Sequence, residues 1–202
     1  MRPRSLAAAL AVVFVAITAL SVAAGLSSAL GPAAAAAAAA QPAAAPTTGP
    51  IIADFGPAYA VPDPGLATPM LQEFKVRFDV NTTPDDPKVL NRSLETAARF
   101  LNMHGKAGMS ASRLKVAIVV HGAAGKDVLS NEAYRKRHGV DNPNVPLLAA
   151  LKGAGVRVYL CGQTAGSRGI SAGELTPPAQ MALSAMTAHL VLQSEGYVLN
   201  PF

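Results

Sequence analysis

Two short apolar runs, each ending in a glycine-containing turn, constrain the fold of this chain most strongly. Residues 114–120 and 156–160 are mostly apolar, which is typical of central strands in a parallel sheet covered on both faces. Residues 74–80 alternate apolar and polar side chains, which predicts a further strand. We therefore expect a sheet whose strands are separated along the chain by other elements.

Helical patterns lie between these strands. Apolar residues recur at three- and four-residue spacing over 90–101, which predicts an amphipathic helix ending near Gly105 and Gly108. The other predicted elements are a short helix with a loop in 126–142, a helix at 146–152, a helical turn at 171–175, a strand at 180–184, a helix at 185–195 and a strand at 197–199. Strands alternating with helices in this way predict an α/β fold, a parallel sheet with helices on both faces.

The N-terminus has the layout of an export signal. Arg2 and Arg4 precede a run without charge over 6–30, and small residues follow. We interpret residues 1–32 as a secretory signal peptide, which makes the protein periplasmic or otherwise exported. The apolar run is also long enough to span a bilayer, so a signal-anchor, uncleaved and held in the membrane, is the alternative.

Two segments separate this signal from the predicted domain at 74–202. Residues 33–50 are a low-complexity stretch rich in alanine and proline, which we interpret as a spacer. Residues 51–73 combine four prolines with large apolar side chains. This mixture favours an extended arm lying on the domain, and a disordered arm is the alternative.

Composition excludes several classes of function. Two of the 17 basic residues lie in 1–50, so the rest of the chain has 15 basic and 12 acidic residues and a net charge of only +3. The chain contains no tryptophan. Nucleic-acid binding is therefore not expected. With one cysteine, neither an intramolecular disulfide nor a cysteine-based zinc site can form. The four histidines show no ligand spacing, and no dinucleotide, phosphate-loop or serine-nucleophile motif is present, so no metal or organic cofactor is implied.

The remaining candidate for chemistry is Cys161. It follows a buried strand and precedes Gly162, and in parallel sheets reactive groups lie beyond the carboxyl ends of the strands. Free N–H groups of a following helical turn would favour a thiolate there. The alternative is a small buried hydrophobic side chain without reactivity.

Several neighbours of Cys161 in the predicted fold could complete a site. His121 follows the other buried strand and could stabilise a thiolate or move a proton, or it could be a loop histidine bonded to backbone. Gly122 and Gly162 permit tight turns. His189 falls on a predicted helix and is interpreted as structural.

Each of four further polar residues has a functional and a structural interpretation. Gln163 and Thr164 could donate hydrogen bonds to a sulfur anion, or they could be ordinary loop residues. Arg168 could attract an anionic sulfur species, or it could be solvated or paired with a carboxylate. Ser184 could line the same cleft, or it could cap the helix that follows.

At these residues the sequence resembles a known family. The segment 161–170 has the form Cys-x-x-x-Ala-x-x-Arg-Gly-Ile and is similar to one found in the DsrE/DsrF-like family. The companion segments are 119–122, 147–159, 183–186 and 193–197, and they follow in the family's order over 74–202.

This resemblance implies a three-layer α/β/α sandwich that assembles into trimers or hexamers. In sulfur-relay members of the family, a cysteine at the position of Cys161 accepts sulfur as a persulfide and passes it on. Characterised members are mostly cytoplasmic, and the predicted export signal departs from that pattern. The resemblance is therefore to an exported branch of the family.

Three functions follow from these residues. The leading one is an exported sulfur carrier with Cys161 as a persulfide site, served by sulfur donor and acceptor proteins or small sulfane-sulfur compounds. The second is a non-catalytic assembly or small-ligand module with an inert Cys161. The third is a thiol redox sensor, whose cysteine would form a disulfide between subunits.

Overall fold

A computed structural model describes residues 44–201 of the chain. The predicted signal segment 1–32 lies outside the described residues, as does the predicted spacer up to residue 43. Among residues 44–201, no helix combines the length and the apolar character needed to cross a membrane.

Five strands and five α-helices follow one another along the described chain. In order they are β1 (Phe74–Val80), α1 (Arg92–Lys106), β2 (Leu114–Val120), α2 (Asn131–His138), α3 (Val145–Gly153), β3 (Arg157–Cys161), α4 (Gly162–Arg168), β4 (Ala179–Ala182), α5 (Ala185–Ser194) and β5 (Val198–Asn200). Short 3₁₀ turns occupy Ala111–Arg113, Gly122–Val128 and Ala172–Glu174.

The strands form one parallel sheet in the order β4-β3-β2-β1-β5. From β1 to β4 the chain always steps toward the same edge, and it then returns across the whole sheet to β5. Because such crossovers are right-handed, the returning connection must lie on the face opposite to the others. Accordingly α1 and α3 cover one face, here named the α1 face, and α5 covers the other, the α5 face.

The larger core lies on the α1 face. Phe78, Ile118 and Leu160 of the sheet pack there with Leu94 of α1 and Leu147 of α3. On the α5 face a smaller cluster joins Ala117 and Val119 of β2 to Ala188, Leu192 and Tyr197. The three-layer α/β/α fold predicted from the sequence is confirmed.

The sequence left residues 162–168 open between a loop and a helical turn. They form the helix α4, which ends at Gly169 in the left-handed conformation (φ 60°). Its sequence, Gly-Gln-Thr-Ala-Gly-Ser-Arg, is rich in poor helix formers. The helix forms because Ala165 is buried in the core of the α1 face, so tertiary packing overrides local propensity.

Residues N-terminal to β1 lie against α1. The buried Asn102 amide accepts hydrogen bonds from the backbone N–H groups of Ile51 and Ile52 (3.1 and 2.8 Å) and donates to the carbonyls of Ile52, Phe55 and Gly56 (2.9, 2.8 and 3.0 Å). A Cβ on Gly56 would lie 2.3 Å from the backbone of α1. One side chain of α1 thus binds the backbone of this segment.

Candidate functional site around Cys161

Cys161 lies where the direction of the chain connections changes. It ends β3, and the chain continues into α4, which packs on the α1 face. The adjacent strand β4, where Ala182 is paired with Cys161, continues into α5 on the other face. Neighbouring strands whose connections leave to opposite faces open a crevice at their carboxyl ends, the usual ligand position in such sheets.

Two helix starts converge on the thiol. The Sγ atom receives hydrogen bonds from the backbone N–H groups of Gln163 and Thr164 in α4, from the Thr164 hydroxyl, and from the N–H of Ala185, the first residue of α5. Burial by itself would raise the pKa of the Cys161 thiol, but these hydrogen bonds outweigh it and the pKa is lowered. They favour the thiolate because all of them donate to sulfur.

Thr164 links this thiol to the neighbouring strand. Its Oγ1 accepts a hydrogen bond at 3.0 Å from the backbone N–H of Gly122, two residues after the end of β2. Accepting this bond uses only a lone pair of the oxygen, so the hydroxyl hydrogen remains available to donate to sulfur. Gly122 has a positive φ of 56°, a conformation that glycine adopts without a Cβ penalty, so the turn depends on that residue.

Gly162 allows the two strands to approach each other at the site. A Cβ at this position would lie 2.6 Å from the carbonyl oxygen of Ala182 and 2.9 Å from that of Leu183. Both contacts are with backbone, which cannot move aside without separating β3 from β4. Gly162 was expected to permit a tight turn, but it is the first residue of α4 and has no positive φ. Glycine is needed there because of this close packing.

The side chains of three other predicted residues bind elsewhere or lie away from the thiol. The Gln163 side chain donates to the Leu183 carbonyl at 3.3 Å, so only its backbone N–H reaches sulfur. Ser184 is the buried N-cap of α5 and accepts from the Thr187 N–H at 3.0 Å. Arg168 is exposed at the far end of α4, about 10 Å along the helix axis from Cys161.

Two apolar side chains flank the crevice. Cys161 itself is only 7% exposed, whereas Leu183 and Met186 are 73% and 75% exposed. They precede and follow the segment that supplies the Ala185 N–H. Leu183 and Met186 therefore place exposed apolar surface beside the strand end that carries the largely buried thiol.

His121 does not direct its Nε2 toward the thiol. This nitrogen contacts both carboxylate oxygens of Asp79, at 3.1 and 3.2 Å. His189 Nε2 contacts the same carboxylate at 2.8 Å, and its Nδ1 receives a hydrogen bond from Arg77 Nε at 3.2 Å. The four side chains form a continuous polar network on the α5 face.

Asp79 and Arg77 were not singled out in the sequence, and His189 was interpreted there as structural. A signal for them exists, because β1 alternates Lys75, Arg77 and Asp79 with apolar residues although it lies inside the sheet between β2 and β5. Inner strands of parallel sheets are normally apolar on both faces. Charged residues on one face of such a strand are a reason to look for a polar site.

Residues 44–201 contain no group of three or more histidine, cysteine, aspartate or glutamate side chains placed to hold a metal ion. Because a guanidinium can only donate, Arg77 makes His189 Nδ1 an acceptor and Nε2 the donor to Asp79. That Nε2 carries a hydrogen and is not a metal ligand in this arrangement.

Together the parallel three-layer fold and the thiol at its switch point define a class, an α/β protein with a cysteine at the carboxyl edge of the sheet. Residues 75–201 match the model of the DsrE/DsrF-like family, and the chain belongs to that family. The segment at 44–74, including the part held by Asn102, lies outside the match.

Two solved structures are similar to this chain. One is the protein of unknown function MTH1491 from Methanobacterium thermoautotrophicum, with 17% sequence identity, a TM-score of 0.47 and coverage of 64% of this chain and 100% of that one. The other is the ychN protein from E. coli, with 18% identity, a TM-score of 0.46 and coverage of 64% and 99%. No curated protein matches the chain.

Proposed function

We propose that this protein is an exported DsrE-like sulfur carrier in which Cys161 holds sulfur as a persulfide. The observation that carries the proposal is the set of hydrogen bonds to Sγ from Gln163, Thr164 and Ala185. A buried thiol with a merely structural role has no need of donors from two helix starts. A thiol that must act as nucleophile and leaving group does, since both roles require the anion.

The transfer is ordinary thiol exchange. The Cys161 thiolate attacks the sulfane sulfur of a donor, a new S–S bond forms, and the donor's leaving group departs with the electron pair of the broken bond. In the second half, an acceptor thiolate attacks the outer sulfur and Cys161 leaves with the electron pair. No external oxidant or reductant is consumed, because the oxidation level moves with the sulfur atom.

The test is sulfur loading of the full-length protein. Exposure to inorganic polysulfide should add the mass of one sulfur atom to the protein, and a small thiol should remove it. Cys161→Ser should gain none. Ser167→Ala, an exposed change in α4, should load sulfur like the unaltered protein. An unaltered protein that gains no sulfur contradicts the proposal.

A second candidate is supported by the burial of Cys161, which is the pattern of an inert structural cysteine. An inert thiol would be alkylated only as fast as the protein unfolds. A carrier thiol would be alkylated in the native state, and the midpoint of the rate against pH would lie below the free-thiol pKa of about 8.5. Non-reducing gels separate both from a redox sensor, which would form a dimer that reductant dissolves.

We propose further that the protein forms a homo-oligomer through the exposed side of α5. Leu183, Met186, Leu190 and Val191 form an exposed apolar patch there, and such patches mark interaction sites. Leu190→Glu should reduce the mass measured by sedimentation. The same change at Leu66, which is 87% exposed in the segment before β1, should not.

Export is the remaining part of the proposal, and it rests on the sequence of residues 1–32. Cell fractionation with intact mass of the recovered chain tests it. A periplasmic or secreted chain that lacks the N-terminal segment supports a cleaved signal. A full-length chain in the membrane fraction supports the anchor, and a cytoplasmic chain contradicts export.

A further inference from the structure

The polar network on the α5 face includes a buried cation that has no direct carboxylate partner among its described contacts. Arg77 is buried on an inner strand, and its described partners are neutral groups, namely the Tyr197 carbonyl, the Gln193 amide oxygen at 2.9 Å and His189. Burying a guanidinium without a direct carboxylate partner is unfavourable. This cost suggests a role beyond stability.

Hydrogen-bond direction assigns the roles within the network. Arg77 donates to His189 Nδ1, so His189 Nε2 donates to Asp79. Burial would raise the pKa of the Asp79 carboxyl, but hydrogen bonds from His189 and His121 outweigh it and the pKa is lowered. Asp79 is therefore a carboxylate that accepts from both imidazoles.

His121 consequently has one ring nitrogen committed and one available. Its Nε2 donates to Asp79. Its side chain makes no capping bond to the 3₁₀ turn that it precedes, and among residues 44–201 its Nδ1 has no hydrogen-bond partner. A carboxylate that orients one imidazole nitrogen and leaves the other with a lone pair is the arrangement of a general acid–base pair.

The register brings this imidazole beside the cysteine. Val120 pairs with Leu160 on adjacent strands, so His121 and Cys161 occupy the next matching positions. Val119 and Tyr159 both face α5, and side chains two residues further along each strand point to the same face. Neighbouring strands are about 4.8 Å apart, so the backbones of His121 and Cys161 lie side by side on the face that carries the polar network.

We propose that His121 is the general acid–base for sulfur exchange at Cys161, with Asp79, His189 and Arg77 as its positioning residues. This rests on the proposed carrier function. In discharge, His121 Nδ1 takes the proton of an acceptor thiol as its sulfur attacks the outer sulfur of the protonated persulfide. The bond between the outer sulfur and Sγ breaks, and Cys161 leaves as thiolate. The products are the acceptor persulfide, the thiolate and an imidazolium paired with Asp79.

The charged and titratable groups around this imidazole come from three elements. They are Arg77 and Asp79 on β1, Cys161 on β3 and His189 on α5. A pH profile of discharge must therefore be compared between variants at each of these elements, so that the contribution of His121 is separated from that of the thiol.

The experiment measures persulfide discharge in a single turnover. The full-length protein is loaded with inorganic polysulfide and mixed with reduced glutathione, and the loss of sulfur is followed by intact mass across pH. His121→Ala should slow discharge about 100-fold with full loading, and free imidazole in the buffer should restore part of the rate. Asp79→Asn should slow it about tenfold or more and change the pH profile.

A matched control is available on the opposite face of the sheet. His104 stacks against Phe100 in α1, and His104→Gln should leave the discharge rate unchanged. If His121→Ala and Asp79→Asn both discharge sulfur at rates within twofold of the unaltered protein and with the same pH profile, the acid–base role of His121 is overturned. The carrier function is not affected by that result. If one variant fails to fold, the other decides. An unaltered protein that takes up no sulfur overturns the carrier function and this inference with it.

Discussion

At the scale of single residues, the proposed sulfur-carrier function depends on which atoms donate to the Cys161 sulfur. Thr164 contributes twice, through its N–H and its hydroxyl, and it also accepts from Gly122. No other side chain of the site connects β2, α4 and the thiol. Removing its hydroxyl therefore tests whether hydrogen bonds to the sulfur, and not burial alone, set the pKa of the Cys161 thiol.

Thr164→Val should raise the pKa of the Cys161 thiol, because the thiolate loses a donor while burial is unchanged. It also leaves the Gly122 N–H without its acceptor, which costs about 1–3 kcal/mol of stability. The pH dependence of alkylation measures the first effect and urea unfolding the second. Thr164→Ser keeps the hydroxyl and serves as the control, and an unshifted midpoint in the valine variant would show that the hydroxyl does not stabilise the anion.

The lowered pKa of Cys161 also predicts how stability changes with pH. A thiol whose native pKa lies below its unfolded value of about 8.5 binds fewer protons in the folded state, so folding is favoured as pH rises. The free energy of unfolding of the unaltered protein, relative to Cys161→Ser, should increase between the native pKa and about 8.5. The increment is lost again as pH falls through the native pKa. A constant difference across this range contradicts a lowered pKa.

At the scale of elements, the site depends on close contact between the ends of β3 and β4. Gly162 starts α4 under the carbonyls of Ala182 and Leu183. If the strands are pushed apart there, the start of α5 moves with β4 and the Ala185 donor leaves the sulfur. Two glycines of the same helix allow this to be tested.

Gly162→Ala should destabilise the protein by about 1–3 kcal/mol, because its Cβ meets backbone at 2.6 Å. Gly166→Ala is the matched change, since nothing lies within 4 Å of its Cβ position, and it should be neutral or stabilising by about 0.5–1 kcal/mol. Urea unfolding of the two variants gives the comparison. Equal stabilities would show that the sheet edge adapts to the added atom.

At the scale of the whole molecule, the described chain is a family domain with an N-terminal addition bound to it. Residues 44–74 precede the match to the family, and Asn102 binds their backbone through five hydrogen bonds. The Gly56 N–H adds one to Glu95 at 3.0 Å. The segment is thus held by side chains of one helix.

Asn102→Ala should release this segment, because three buried carbonyls and two N–H groups lose their partners. Limited proteolysis should then cleave within residues 47–59 several times faster, while Cys161 on the far side of the sheet loads sulfur as before. Ser167→Ala, an exposed change in α4 and away from this segment, is the control. Unchanged cleavage would mean that packing of Ile52 alone holds the segment.

Much of the fold follows from local patterns. The apolar run of β2, the alternation of β1 and the periodicity of α1 are each visible within a few residues, because burial on a sheet or helix repeats at a fixed interval. The helix α4 is not visible in this way, since its stability comes from the contact of Ala165 with the core. Cys161 was recognised as a candidate from its position after a buried strand.

The sequence by itself determined the order of the strands and of the helices other than α4, the family and the candidate cysteine. Only the tertiary structure decided which groups surround that cysteine. Ala185 reaches it because β4 lies beside β3, and Asp79 meets His121 and His189 across 42 and 110 residues of chain. Contacts of this kind depend on strand order and register, which arise from the packing of the whole sheet and not from any local stretch of residues.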